Sequence, residues 1–403
     1  MTFPRARGVL PVRVFLCAVL ALQTTPYGAI TPLLPGIVRD LGLADSRVGL
    51  ITGAFTAGLL PACLALMLIR RPISDILVVF VGLGFLAVGC LTFAQASSLP
   101  ILLAGRLAMG FGSGLCFAGA SRWLVKSAPG QEGLFFGLSW GMLSVGTAVG
   151  PAAGAAAIAL GSPFVHNVLT ATFAACLAVL ALIAMSPQMR QMARTRTVGP
   201  HIAVATLLRK RTFLIALTPL IVPALAIGLL FTLVPLLLAA DGQEQWIAAI
   251  FIAAAVIGAG AGPVAGVVVR GVGERTTIVV TMAATTVLFA SLAWPIGPLH
   301  LAIATIVILG ITNQLLAVAA GETTRRTGTE LGAPDTSSIF VPLMFALFET
   351  AGAVFSTRAA AVHAALPFIA VAAVAVATGA LTARAMPRIR ERDDRDSVVV
   401  QHF

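Results

Sequence analysis

The chain has 403 residues, of which 59% are hydrophobic and only 10% are charged, and its formal net charge is +11. Soluble domains carry about a quarter charged residues, so this composition excludes an ordinary soluble protein. The basic balance could suggest binding to nucleic acid, but the positions of the basic residues, described below, exclude that class as well.

Apolar residues occur in blocks of roughly twenty, the length that a helix needs to cross a hydrocarbon core about 30 Å thick. Several blocks are weak individually because alanine and glycine lower their hydropathy, and 276–294 is the weakest. The sequence predicts an all-α, polytopic membrane protein with twelve transmembrane helices. They cover residues 12–34, 48–69, 76–96, 99–122, 134–158, 164–185, 212–238, 246–269, 276–294, 299–320, 338–358 and 364–386.

The basic residues are distributed unevenly between the predicted loops. With the N-terminus inside the cell, 22 of the 26 Lys and Arg residues fall on cytoplasmic segments, and only Arg39, Arg47 and Arg358 fall outside. This asymmetry follows the positive-inside rule. We therefore predict a multi-pass protein of the plasma (inner) membrane of a bacterium, with both termini cytoplasmic. Its basic charge reflects topology in the lipid bilayer, and no nucleic acid is expected as a partner.

The most polar internal stretch, residues 186–213, separates six predicted spans from the next six. We expect an N-terminal six-helix half (1–187), a cytoplasmic linker (188–211), a C-terminal six-helix half (212–386) and a charged cytoplasmic tail (387–403). A weak repeat supports pseudo-symmetry, because ALMLIRRPIS (65–74) follows the second span and GVVVRGVGER (266–275) follows the eighth. Paired halves with a substrate site near the midplane are a common transporter architecture.

Three local patterns resemble a known family. They are RLAMGFGSG (106–114) in the fourth span, GTAVGPAAG (146–154) in the fifth, and YGAITPLLPGIVRDLGL (27–43) in the first. Over residues 12–386 the chain resembles the major facilitator superfamily, in particular its twelve-span drug/metabolite–proton antiporter branch. The resemblance implies a tight, bent hinge at the fifth-span motif, although small residues at this spacing also serve simple helix packing. The motif residues are Gly146, Gly150, Pro151 and Gly154.

The loop after the second span departs from the family pattern G-x-x-x-D-R-x-G-R-R. Ala65, Ile69 and Pro72 replace its first Gly, its Asp and its inner Gly, so the acid that latches the cytoplasmic side in the family is missing. The next acid, in the following span, is a candidate substitute. The predicted cytoplasmic gating residues of the two loops are Arg70, Arg71, Asp75, Gly266, Gly273 and Arg275.

One acid interrupts the apolar run PLMFALFETAGAVF, residues 342–355. Glu349 lies eleven residues into its predicted span, a depth of about 16 Å and near the midplane. Removal of a carboxyl group from water favours the protonated form, so Glu349 is our candidate for proton coupling or for binding a cationic substrate. The alternative is a permanently protonated Glu349, hydrogen bonded to a backbone carbonyl or to a neighbour such as Arg106.

Arg106 lies seven residues into the fourth span, about 10 Å below its outer end. A guanidinium at that depth costs roughly 2.5–3.5 kcal/mol on insertion scales, so it should face a wet cavity or an anionic partner. Two roles stay open: a cavity charge that binds substrate or modulates a proton-carrying acid, and an arginine that snorkels to the outer interface.

In the resembled family the first, fourth, seventh and tenth helices line the transport cavity. Carried onto this chain, the resemblance implies a polar lining from Gln23, Tyr27, Asn313 and Gln314. Phe345, one turn before Glu349, could form an aromatic wall. Trp140, inside the fifth span, is a further candidate. For each of these residues, ordinary helix–helix packing or hydrogen bonding remains an alternative.

These features favour a proton-coupled exporter of small apolar or cationic compounds, drugs or metabolites, working by alternating access. The alternative is a proton-coupled importer of a small organic anion, with Arg106 as the partner of that anion. An intramembrane enzyme is a distant third reading, because the histidines lie near span ends or outside them. No G-x-x-x-x-G-K-[ST] loop occurs, so we expect an ion gradient as energy source. We predict no enzymatic activity, cofactor or metal, with a small molecule and protons as partners of a monomer.

Overall fold

The computed structural model describes residues 9–68, 73–127, 131–161, 200–294 and 297–385, together with positions 170, 171, 174 and 177. The described secondary structure is helical throughout. Five long helices form an N-terminal group: α1 (Val9–Asp40), α2 (Val48–Leu68), α3 (Asp75–Ala94), α4 (Leu99–Lys126) and α5 (Glu132–Ala159).

A short helix in the linker precedes the C-terminal group. The short helix is α6 (Pro200–Arg209). The C-terminal group consists of α7 (Arg211–Leu217), α8 (Ile221–Ala240), α9 (Ile247–Val272), α10 (Glu274–Leu292), α11 (Pro298–Val307), α12 (Asn313–Glu330), α13 (Pro334–Val362) and α14 (Leu366–Ala385). A 3-10 turn at Thr218–Leu220 joins α7 to α8, and a π turn at Ile308–Thr312 joins α11 to α12. Each joined pair forms one continuous span.

Within the described ranges, eleven helices are long and apolar enough to cross a membrane. They correspond to eleven of the twelve predicted spans, including the weak segment 276–294, which forms α10. The sixth predicted span, 164–185, lies almost entirely outside the described residues, so the twelfth helix stays a prediction. The linker and tail boundaries likewise remain predictions, because residues 178–199 and 386–403 are not described.

The glycine motif of the fifth span packs α5 against α1. A Cβ atom at Gly150 would lie 2.5 Å from the carbonyl oxygen of Thr25 and 2.6 Å from the amide nitrogen of Ala29. Gly146 and Gly154 face the α1 backbone in the same way, and Pro151 contacts Gly28. Close approach of two helix backbones requires residues without side chains. The motif therefore lies inside the N-terminal group, and its hinge role remains a prediction.

We call the surface between the N-terminal and C-terminal groups the seam. Helices of the two groups cross each other near both of its ends. We call the end that carries α6 the linker end and the opposite one the far end. At the linker end α5 crosses α9, where a Cβ atom on Gly262 would lie 2.8 Å from the amide nitrogen of Gly141. At the far end Gly49 of α2 lies against the backbone of Ala353 in α13. These two crossings enclose the middle of the seam.

Candidate functional site

A cavity lies at the seam between the N-terminal and C-terminal groups. Its wall takes residues from α1, α2, α4 and α5 on one side and from α8, α9, α12 and α13 on the other. The wall is mainly apolar. Its aromatic side chains, counted among the described residues, are Tyr27, Phe55, Phe117, Trp140, Phe231, Phe251 and Phe345.

The structure brings most of the predicted cavity residues together. On the wall lie Gln23, Tyr27, Trp140, Asn313, Gln314, Phe345 and Glu349. Arg106 is the exception, since it is not among the described residues that line the cavity. The positions of the seven lining residues agree with a shared site, while the role of each remains a prediction.

Glu349 is the one charged side chain on the described part of the cavity wall. It lies near the middle of α13, one turn after Phe345, and is only 8% exposed. Across the seam its neighbour is the Tyr27 hydroxyl, which reaches no partner in hydrogen-bonding geometry among the described residues. No salt bridge to Glu349 occurs in the part of the chain that the structure describes. The carboxyl group thus has no salt-bridge partner among the described residues, and Arg106 acts on it as an opposite charge from beyond salt-bridge distance.

Gly228 of α8 explains why this turn of α13 sits close to the cavity. The backbone carbonyl of Glu349 lies against the Cα of Gly228, where any Cβ atom would overlap it. Close packing of α8 on α13 therefore holds the backbone of Glu349 in place, and Phe231 and Phe345 line the same cavity.

Arg106 is enclosed in the N-terminal group and is 1% exposed. Its Nε donates to the carbonyl oxygen of Ile51 at 3.2 Å, and its Nη1 donates to that of Pro26 at 3.1 Å. The guanidinium carbon lies 4.9 Å from the ring centre of Phe55 and 5.8 Å from that of Tyr27. Both rings also line the cavity, whereas Arg106 is not among the described residues of its wall. Arg106 does not snorkel to the outer interface in this structure.

Three polar contacts connect helices around the cavity. The Gln314 side-chain nitrogen lies 2.9 Å from the Ser144 hydroxyl, which links α12 to α5. The hydroxyls of Thr56 and Thr350 are 2.8 Å apart and link α2 to α13. Within the N-terminal group, the Ser113 hydroxyl donates to Gln23. Sequence reasoning missed Ser144, although its position one turn after Trp140 on α5 was the available signal.

The predicted gating residues are spread over the linker end. Asp75, the first residue of α3, forms ion pairs of 3.0 Å with Arg122 and 3.6 Å with Lys126, both in the last turns of α4. Asp75 therefore forms these ion pairs within the N-terminal group. Arg70 and Arg71 lie outside the described residues.

The second loop is fully described. Gly266 is buried in α9, and Gly273 ends that helix with φ at +92°, a conformation that suits glycine. Arg275 donates to the carbonyl oxygen of Ala383 at 3.1 Å. Sequence reasoning missed Glu274, which is the first residue of α10 as Asp75 is of α3, and which accepts a hydrogen bond from Thr323 at 2.9 Å.

Comparison with known proteins identifies the family. The family model of the Major Facilitator Superfamily matches residues 16–333. The chain belongs to this superfamily. Superfamily members of this architecture are transporters that hold their substrate near the midplane, where the two halves meet.

Among curated relatives, this superfamily member is similar to the Quinolone resistance protein NorA of Staphylococcus aureus. Identity is 25% over 206 residues for the protein of strain MSSA476 and covers 50% of this chain and 51% of the relative. The protein of strain MRSA252 is 26% identical over the same length, and that of strain Mu50 is 25% identical over 197 residues. The chain thus spans about half the length of the curated relatives it matches.

Proposed function

We propose that this transporter is a proton-coupled exporter of small apolar or cationic compounds. The observation that carries the proposal is Glu349, one carboxyl group on an aromatic cavity wall to which both helix groups contribute. Export is supported by the similarity to proteins whose name records quinolone resistance. It is also supported by the antiporter-type motif GTAVGPAAG at residues 146–154.

Charge balance gives the mechanism. A carboxylate without a counter-ion in an apolar cavity is costly, so Glu349 is stabilised by either a proton or a bound cation, and the two compete. Opening of the linker end lets a cation displace the proton. Opening of the far end lets a proton displace the cation. Aromatic faces attract cations, which strengthens binding of flat organic cations over inorganic ones.

Import of an organic anion is less well supported. That function requires a cationic side chain that an anion can reach, and Arg106 was the candidate. Its Nε and Nη1 donate to backbone carbonyls, its guanidinium lies against the rings of Tyr27 and Phe55, and Arg106 is not among the described residues that line the cavity. An anion entering the cavity would meet Glu349 instead, and like charges repel.

Orientation belongs to the same proposal. Since 22 of the 26 basic residues fall on predicted cytoplasmic segments, the linker end faces the cytoplasm and the far end faces outward. We place the protein in the inner membrane of a bacterium, as a monomer whose two six-helix halves rock about the cavity.

Everted membrane vesicles test this function. The vesicles are energised to an acidic interior, and an acridine dye reports proton release when a compound from a panel of organic cations and neutral drugs is added. We expect the wild type to release protons with at least some of the cations, and Glu349→Gln to release none. Glu349→Asp keeps a titratable group and should retain slower release.

Glu330→Gln is the matched control, because it makes the same chemical change at an exposed site at the end of α12, paired with Arg326. It should behave as the wild type. Equal release by the wild type and by Glu349→Gln would show that another group couples protons. No response to any compound, combined with uptake of a labelled organic anion, would favour the importer.

A further inference from the structure

Two amide side chains on α12 carry unsatisfied acceptors on the cavity wall. Asn313 and Gln314 are 5% and 7% exposed, and both line the cavity. Within the described residues, neither the Oδ1 of Asn313 nor the Oε1 of Gln314 has a hydrogen-bond partner. We call Asn313, Gln314 and Ser144 the amide cluster. A buried polar atom without a partner costs about 1–3 kcal/mol. Of the ten such side-chain atoms in the described structure, these two are the amide oxygens, and both residues lie on the cavity wall.

Local structure holds the amide cluster in place. The Gln314 nitrogen is committed to Ser144 across the seam, which leaves its oxygen as the free acceptor. The π turn at Ile308–Thr312 comes directly before Asn313, and turns of this kind occur often at functional sites. As a result, two consecutive residues of α12 both reach the cavity wall.

The amide cluster and Glu349 lie on different helices. An aromatic pair lies one helical turn before Ser144 and one turn before Glu349. Trp140, one turn before Ser144 on α5, has its ring centre 4.8 Å from that of Phe345, which is one turn before Glu349 on α13. The aromatic pair, the carboxyl group of Glu349 and the amide oxygens of α12 thus share one cavity wall.

We propose that the amide cluster is a recognition subsite for hydrogen-bond donors. The preferred substrates are aromatic monocations that carry an N–H or O–H group remote from the positive charge. The charge pairs with Glu349, the ring stacks on Trp140 and Phe345, and the donor satisfies Asn313 or Gln314. This inference rests on the proposed function for the role of Glu349, and adds the substrate feature that the cavity selects.

Two permanent cations separate the donor requirement from charge. Ethidium has aromatic N–H donors, and tetraphenylphosphonium has none. Equilibrium binding of each radiolabelled cation to the purified full-length protein is measured without a proton gradient. The variants are Asn313→Leu and Gln314→Met, which keep side-chain size and remove the acceptor. We expect each to weaken ethidium binding roughly three- to tenfold and to change tetraphenylphosphonium binding less than about twofold.

Thr285→Val is the matched control, since the buried Oγ1 of Thr285 also lacks a partner among the described residues but is outside the described cavity wall. It should leave both affinities unchanged. Equal weakening of the two cations, or weakening of neither, overturns the donor subsite and assigns the amides to helix contacts. Selective binding without proton release in vesicles contradicts only the proposed coupling. Binding of neither cation by the wild type overturns both proposals.

Discussion

Three charged side chains are buried in the described part of this protein, and two of them, Arg106 and Glu349, are held in opposite ways. Arg106 has two backbone carbonyls and two aromatic rings as fixed partners inside the N-terminal group. Glu349 faces the cavity at the seam, with the Tyr27 hydroxyl as its neighbour and no salt bridge among the described residues. Burial of a charge is costly unless it is paired. The Nε and Nη1 of Arg106 are bound within the fold, whereas in the proposed mechanism the partner of Glu349 is a proton or a substrate.

Burial alone therefore does not distinguish a structural charge from a functional one. The distinguishing property is whether the partner can be exchanged. The region around Arg106 should respond to mutation with a loss of stability, and the region around Glu349 with a loss of transport.

The largest expected effect is that of Arg106→Ala. It removes two hydrogen bonds and a large fully buried side chain that joins α4 to α1 and α2. We expect the free energy of unfolding to fall by about 2–4 kcal/mol, measured by denaturation in mixed micelles. Arg358→Ala, the same change at an exposed site in α13, is the control and should have little effect. Glu349→Gln should change stability by less than about 1 kcal/mol. An Arg106→Ala protein as stable as the wild type would contradict the structural role that we assign to Arg106.

The next effect contrasts a helix crossing inside one group with a crossing at the seam. Gly150→Val places atoms against the backbone of α1, and we expect a loss of about 1–3 kcal/mol from overpacking. Gly262→Val places atoms against Gly141 of α5, where the proposed mechanism requires the two groups to separate. It should lower the transport rate more than it lowers stability. Denaturation measures the stability of the two variants, and the dye assay measures their transport rates. If Gly150→Val mainly lowers transport and Gly262→Val mainly lowers stability, the moving surface lies along the α1–α5 contact.

How far the sequence predicts this molecule depends on the range of the interactions involved. The spans were predictable because a run of about twenty apolar residues is a local property, and eleven of the twelve are confirmed as helices. The family resemblance predicted Asn313 on the cavity wall, whereas Glu349 was a candidate because it is an acid near the middle of an apolar span. By contrast, the enclosure of Arg106 depends on how α1, α2 and α4 cross, and the Gln314–Ser144 contact joins residues 170 positions apart. No local sequence pattern predicts either of these two features.

Tyr27→Phe should have a smaller and more selective effect. Its ring contacts Phe55 and Phe231 at 5.2 and 4.9 Å, and phenylalanine keeps them. The hydroxyl has no partner in hydrogen-bonding geometry among the described residues, so stability should change by less than about 1 kcal/mol. Loss of a donor beside Glu349 should slow substrate-induced proton release several-fold.

Thr31→Val is the control for Tyr27→Phe. Thr31 lies one turn later on α1, is buried, and has a hydroxyl without a partner in the described structure. It is not among the described residues of the cavity wall. Unchanged release by Thr31→Val and slower release by Tyr27→Phe would tie the effect to the cavity, while equal rates in the two variants would count against a role for the Tyr27 hydroxyl.

The smallest effect is expected at the exposed ion pair that closes the far end. Arg39, at the end of α1, lies 2.8 and 3.1 Å from the two carboxylate oxygens of Glu244, in the turn before α9. The side chains are 65% and 39% exposed, so water and salt screen the pair, and such pairs contribute about 0.2–1 kcal/mol. This pair joins the two helix groups across the seam and is exposed to solvent.

Arg39→Glu and Glu244→Arg should each shift the population toward an open far end by a factor of roughly two to five, and the double variant should restore it. Labelling of Thr357→Cys, a buried position at the far end, by a membrane-impermeant maleimide measures that population. Because the coupling is electrostatic and exposed, its effect should vanish at high salt, whereas the effects of Arg106 and Glu349 substitutions should persist there.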